Sequence, residues 1–385
     1  MGMRWRLRGT CMRMLHFILL AMGAGANRRS LPERPSHSLS AHWKMIGREM
    51  GMTSVNSSTL RKIKGLEEQA HDLTVAINST SISVRCNERI IYERHGTPVS
   101  RSKPGGVHSG VHVLALRRYD GRLMMAQQYL TYQPAEHQRL VHMLKGLQPG
   151  RIVIVAGVPE WILFLSKAAE DALVNLGCRW VTKATPGETW ACIGITGVGV
   201  VAEGISTLGQ HFYPSSTLLL KAQVTRNGRE DGKCLWYDVA TLQRQASFCE
   251  SYEGYGDLCS CETPFFPGTR KTQPVISVSE KIPIVVVTAN KPLHLYRILR
   301  QLYEVPGSSQ TDFLVVVDGA HEETLHLTDV LQVKKTLIHA PEGVRNARTN
   351  ANIKFALGSV FITYPSASKA IILEDDLLVS PDILR

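Results

Sequence analysis

At 385 residues the chain is long enough for two domains of ordinary size and a leader. Its 44% hydrophobic content, with 31 Gly and 18 Pro, is that of a globular protein and excludes a wholly disordered one. The net charge of +11 does not signal a nucleic-acid surface. Nine Arg or Lys fall in the first 50 residues against Glu33 and Glu49 alone, and no folded stretch pairs clustered basic residues with aromatic platforms.

The basic residues Arg4, Arg6, Arg8 and Arg13 precede an apolar segment, Met14 to Ala26, broken only by His16. This is the layout of a signal peptide, with Ala24-Gly25-Ala26 as a small-residue cleavage site, or of a short signal anchor. Thirteen residues fall short of the roughly 20 that span a bilayer. Either reading puts the rest of the chain in the secretory lumen, and the sequons at Asn56 and Asn78 fit that compartment. From residue 27 to about 104 the chain is rich in Ser, Arg and His, and is expected to be a flexible stem with one strand at Ile77 to Arg85.

The first folded unit is expected over residues 105–233. Strands are predicted at Val111 to Leu116 and Leu123 to Ala126 about the Asp120-Gly121 turn. Pro134 opens a helix with Leu140, Val141 and Leu144 on one face. Ile152 to Ala156 reads as a buried strand, Leu165 to Leu176 as a helix, and Trp190 to Ile195 and Leu218 to Val224 as further strands. The glycines at 194, 197, 199 and 204 lack the G-x-G-x-x-G spacing and suit strand turns. No nucleophile with a base, paired carboxylates or phosphate loop is legible here, so this α/β module is expected to bind or space.

Residues 234–280 form a connector in which Pro264, Pro267 and Gly268 discourage regular structure. Cys234, Cys249, Cys259 and Cys261 crowd together within it. Without a C-x-x-C knuckle or a nearby ligand His, disulfides are favoured over zinc, and the three possible pairings stay open. Cys178 and Cys192 suit a further bridge, which leaves Cys86 unpaired or intermolecular.

In residues 281–385, strands at Ile284 to Ala289, Phe313 to Val317, Thr336 to His339 and Ala370 to Leu373 alternate with helices. Asn290 is placed to cap the first of these, with Pro292 in its first turn; the others run from His321 to Val330 and from Asn350 to Val360. Alternation with both sheet faces apolar indicates a parallel open sheet, in which ligands collect beyond the carboxyl ends of the strands. Those ends carry Asn290, Asp318 and Glu374-Asp375-Asp376.

Asp376 is the candidate metal ligand, because a hard cation such as Mn²⁺ or Mg²⁺ is commonly held by one carboxylate plus substrate phosphates. Side chains alternate along a strand, so Glu374 and Asp376 share a face and Asp375 supports them from the other. An acidic surface turn is the plain alternative. Asp318 suits a nucleoside hydroxyl or a simple Asp-Gly turn. Arg345 and Arg348, before the Asn350 helix, suit phosphate or open solvent. The acids at 322 and 323 belong to a helix start.

The segments "IPIVVVTANKPLHLYRILRQL", "FLVVVDGAHEET" and "AIILEDDLLVSPD" resemble the N-terminal half of the β-1,2-N-acetylglucosaminyltransferases that act on mannose, nearest to the enzymes that extend O-linked mannose. Upstream, "GVHSGVHVLALRRYDGRLM" and "PGRIVIVAGVPE" resemble the stem domain of that family, a module shared with secreted interleukin-like proteins. The connector "CLWYD…FCESYEGYGDLCSC" is similar too, so the resemblance covers residues 105–385. It implies an α/β stem module followed by the first, nucleotide-binding half of a GT-A (Rossmann-like) domain, with UDP-GlcNAc as donor and Mn²⁺ as cofactor. The implied acceptor is an O-mannosylated glycoprotein, and the implied location the luminal side of the Golgi membrane. By position Asp376 is the implied metal ligand, and Asn290, Asp318, Glu374 and Asp375 the implied donor contacts. The family's catalytic base lies beyond the segments matched and no catalytic residue is named, so this polypeptide is expected to be inactive or nearly so, with exposed sheet edges. A secreted or luminal glycan-binding protein built on the first module is the rival reading, and a metal-dependent nucleotide-sugar hydrolase a third.

Overall fold

The computed structural model describes residues 70–78, 81–95, 110–158, 161–206, 217–228, 233–267, 281–344 and 346–384. The leader, the sequon at Asn56, the partners of Asn78 in its sequon and Arg345 lie outside the described residues.

The first module begins well before residue 105. Strands β1 (Ala70–Ile77), β2 (Ser81–Cys86) and β3 (Arg89–His95) occupy the stretch expected to be a flexible stem, and the single strand expected at Ile77 to Arg85 straddles a hairpin. Leu73, Val75 and Ile77 alternate inward on β1, the period-2 pattern of a strand covered on one face. His71 takes the same inward side, and this polar residue hides the pattern in the sequence. The remaining strands are β4 (Gly110–Leu116), β5 (Leu123–Tyr129), β6 (Ile152–Val158), β7 (Trp190–Ile195), β8 (Gly199–Ile205) and β9 (Leu218–Thr225). They form two antiparallel sheets, ordered β3-β2-β1-β9 and β5-β4-β6-β7-β8. Strand β8 falls in the glycine-rich stretch expected to hold turns. Gly194 is needed opposite it, since a Cβ there would lie 3.0 Å from the Gly199 carbonyl.

Helices α1 (Pro134–Gly146) and α2 (Lys167–Asn175) pack on the outer face of the five-stranded sheet. Leu140, Leu144, Ala169 and Leu173 meet Val113, Val155 and Trp190 there. The inner face meets the first sheet through Leu114, Ile154 and Ile193 against Val75 and Val84. Being covered on both sides, β4, β6 and β7 are buried at every position, which is why they read as continuous apolar runs.

The connector is not irregular. It contains α3 (Gln243–Ser251), which buries Ala246, Phe248 and Cys249; the prolines that argued against structure lie beyond its end. Among the described residues three disulfides join Cys178 to Cys192, Cys234 to Cys261 and Cys249 to Cys259. Cys86 is free and buried, so its thiol offers no surface for an intermolecular bridge.

In the second module β10 (Ile284–Thr288), α4 (Pro292–Glu304), β11 (Phe313–Asp318), α5 (Glu322–Val330), β12 (Lys335–His339), α6 (Asn346–Thr363) and β13 (Ile371–Glu374) build a parallel sheet ordered β12-β11-β10-β13. Val286, Val315 and Leu373 face α4, α5 and the connector, while Val285 and Val316 face Ala356 and Val360 of α6. The described chain is thus α/β in content, with antiparallel sheets in one module and a parallel sheet in the other. Its disulfides fit an oxidising compartment, secreted or luminal. No helix among the described residues is long and apolar enough to cross a membrane.

Candidate functional site

The chain runs outward from β10 through β11 to β12, then returns to place β13 on the opposite side of β10. The strand order therefore reverses between β10 and β13, and the crevice at their carboxyl ends is where open α/β sheets bind ligands. Thr288, Ala289 and Asn290 lead out of β10 at this point, and Glu374, Asp375 and Asp376 out of β13.

The acidic triplet is split by the pleat. Asp375 is buried, its backbone N–H donating to the Val287 carbonyl at 3.1 Å and its carboxylate accepting from the Thr288 hydroxyl at 2.6 Å. Burial pushes the Asp375 carboxyl up, against the pull of that hydroxyl, of Lys291 and of the Ala289 amide. Glu374, the last residue of β13, and Asp376, in the turn after it, are exposed. The three acids do not converge on one point. Among the described residues the one group of three potential ligands that does is Cys178, Cys192 and Glu203, and its two sulfurs are bonded to each other.

The surroundings of Asp376 are cationic. Arg297 of α4 donates to the Asp376 carbonyl at 3.0 Å and leaves its Nε buried without a partner. His294, one turn earlier, has a buried Nδ1 without a partner. Burial first, then the charges of Arg139, Arg297 and Lys291, lowers the His294 imidazole to about 4, with Asp376 pulling the other way. The ring is therefore neutral at physiological pH. Arg139 belongs to α1, so the first module adds a charge to this crevice. A third unpartnered atom, Asn352 Oδ1, lies beside the end of β10, where the Asn352 amide donates to the Thr288 carbonyl at 3.3 Å. Buried polar atoms are rarely left unpaired; two of these three belong to the helix beside Asp376, and the third to α6 on the other face of the sheet.

The other named positions fall into place unevenly. Asn290 is exposed and does not cap α4: the N-cap residue is Lys291, which makes no side-chain cap, and Pro292 starts the helix. Asp318 is buried at the end of β11, where His339 Nδ1 lies 3.0 Å from Oδ1 and Arg348 Nε donates to Oδ2. Its charge is balanced inside the protein. Arg348 lies within α6 rather than before it, and its guanidinium is turned to Asp318. Glu323 is half-buried in the first turn of α5, where it accepts from Tyr255 Oη at 2.6 Å and desolvation raises its carboxyl.

His294, Arg297, Thr288 and Asn352 went unnamed in the sequence. The one available signal was polar residues interrupting the first two turns of an otherwise apolar helix after a strand; Thr288 and Asn352 gave none.

A family model described as interleukin-like EMT inducer matches residues 109–198. The match runs from the start of β4 into the β7–β8 turn, inside the first module, and stops well short of the strand-end crevice.

Proposed function

We propose that the second module is the nucleotide-binding half of a GT-A glycosyltransferase domain, which transfers N-acetylglucosamine from UDP-GlcNAc in β-1,2 linkage to O-linked mannose on glycoproteins. The observation that carries the reading is the crevice at the reversal of strand order, where an exposed carboxylate stands among Lys291, His294 and Arg297. Such a donor would suit a hard cation shared with a diphosphate. Asp376 and Glu374 would offer oxygen to Mn²⁺, and the surrounding cations would take the remaining phosphate charge. Asp375 would hold the turn, through Thr288, rather than ligate. When bound, the cation would neutralise charge developing on the leaving diphosphate. A neutral His294 would add no further cation beside such a group.

Calorimetry of UDP-GlcNAc with and without Mn²⁺ tests this. Binding should depend on the cation and weaken at least tenfold in Asp376→Ala, about 1.4 kcal/mol or more. A cation-independent isotherm, unchanged in the variant, would remove the site.

The match of residues 109–198 to a family of interleukin-like proteins favours a second reading, a secreted or luminal glycan-binding protein without catalytic activity. Glycan-array binding that survives Asp376→Ala, together with no Mn²⁺-dependent UDP-GlcNAc binding by the parent chain, would select it.

A further inference from the structure

We propose that the cleft where the β4–β5 loop and the loop before β6 meet the connector binds a single oxyanion group: a sulfate, phosphate or carboxylate, free or carried on a sugar. Among the described residues its walls carry four cations, Arg117, Arg118, Arg151 and Lys233, and one carboxylate, Glu250, while Asp120 and Glu253 pair with two of the cations from outside the lining. None of these residues belongs to the strand-end crevice.

Each guanidinium is oriented by a neutral acceptor, and for Arg118 neutral acceptors are its only partners among the described residues. Arg118 donates through Nε to the Thr225 carbonyl at 2.9 Å and through Nη2 to the Thr225 hydroxyl at 3.0 Å. Arg117 donates to the Glu250 carbonyl at 2.8 Å, and Arg151 to the Cys249 carbonyl at 3.2 Å. Arg117 and Arg151 also have carboxylate partners, Asp120 at 2.5 Å and Glu253 at 2.8 Å. Lys233 stands 3.8 Å from Glu250. Arg118 has no ion pair among the described residues, so it is the charge that an incoming anion would balance.

Size narrows the occupant. The recess itself is small, about 30 Å³ and room for one or two waters, a size closer to a single oxyanion group than to a sugar ring. Tyr119, whose ring lies 4.5 Å from the Arg117 guanidinium carbon, and Tyr237 line the same cleft and offer flat surface to whatever carries the group. Fixed guanidinium groups in a recess focus a positive field, and planar forks match the oxygens of sulfate, phosphate and carboxylate.

The test is calorimetry on the full chain at constant ionic strength, with chloride as the balancing ion. The probes are inorganic sulfate, inorganic phosphate, glucuronate and a sulfated disaccharide. One saturable site is expected, weakened about tenfold in Arg118→Gln, the loss of one charge-assisted contact, and unchanged in Arg226→Gln, a neighbouring exposed cation outside the cleft lining. Lys233→Gln gives a second reading if Arg118→Gln does not fold. Tighter binding of the sulfated disaccharide than of sulfate assigns the site to acidic glycans, and equal binding assigns it to a free ion. A response that never saturates, or one that is the same in the Arg118, Lys233 and Arg226 variants, overturns the proposal.

Discussion

The Thr288 hydroxyl is the smallest part of the crevice with a definite cost attached. It gives the buried Asp375 carboxylate a hydrogen bond of 2.6 Å in a place that water does not reach. Thr288→Val keeps the shape and removes the donor. We expect it to lower stability by about 1–3 kcal/mol, read from the midpoint of urea unfolding. Two other side chains make stability depend on pH in opposite senses. His294 is lowered from 6.5 to about 4, so the stability it contributes is present above pH 6.5 and is lost as pH falls toward 4. Glu323 is raised by burial, so its contribution is present below the ordinary carboxyl range and is lost as pH rises through the raised value. Glu323→Gln keeps an acceptor for Tyr255, so the variant should gain melting temperature over the parent at pH 7.5 and not at pH 4. His294→Gln should flatten the loss between pH 6.5 and 4. Parallel slopes in variants and parent would contradict these assignments.

At the scale of elements, the connector decides how the chain holds together. Its α3 segment is clamped by the Cys249–Cys259 bridge, and Gly254 lets the following turn pass between the modules. Gly254 has φ +99°, and a Cβ there would lie 3.0 Å from Met125 Sδ and 3.3 Å from Leu293 Cδ2, one from each module. Gly254→Ala therefore adds about 1–2 kcal/mol of backbone strain before any steric term. Thermal unfolding should show a drop in midpoint larger than that of Gly150→Ala, where φ is also positive and nothing lies within 4 Å. The same scale shows why some elements were legible and others were not. Strand β10 and helix α4 were plain, because an apolar run followed by proline and by leucines at helical spacing has few other solutions. Strand β1 was missed because His71 sits at a buried position, satisfied by the Arg118 carbonyl 2.9 Å away, 47 residues along the chain. Helix α3 was missed because its apolar face is completed by Tyr255 and Tyr296, which no local pattern announces.

At the scale of the whole molecule, the connector is bonded to both modules. Arg151 of the first module pairs with Glu253 at 2.8 Å, and Glu253 is 1% exposed at its side chain. On the other side Arg300 of α4 pairs with Asp257 at 2.9 Å, and Tyr296 donates to the same carboxylate. Arg151→Met would leave Glu253 buried and unpaired, a change worth about 3–5 kcal/mol. Limited proteolysis should then cut near residues 250–257 in the variant and spare the parent; equal resistance would show that the pair does not hold the modules together.

The sequence alone determined the alternation of strands and helices after residue 281, the parallel sheet that follows from it, the crowding of cysteines in the connector and the acidic end of the last strand. These are local patterns of period, composition and spacing, and they survive without knowledge of any partner. The tertiary structure decided which cysteines pair, that β1 to β3 complete a second sheet, that Asp318 is neutralised by Arg348, and that His294 and Arg297 stand beside Asp376. Each of those depends on residues distant in the chain brought within a few ångströms, where burial and charge act through space and no run of neighbouring letters records the outcome.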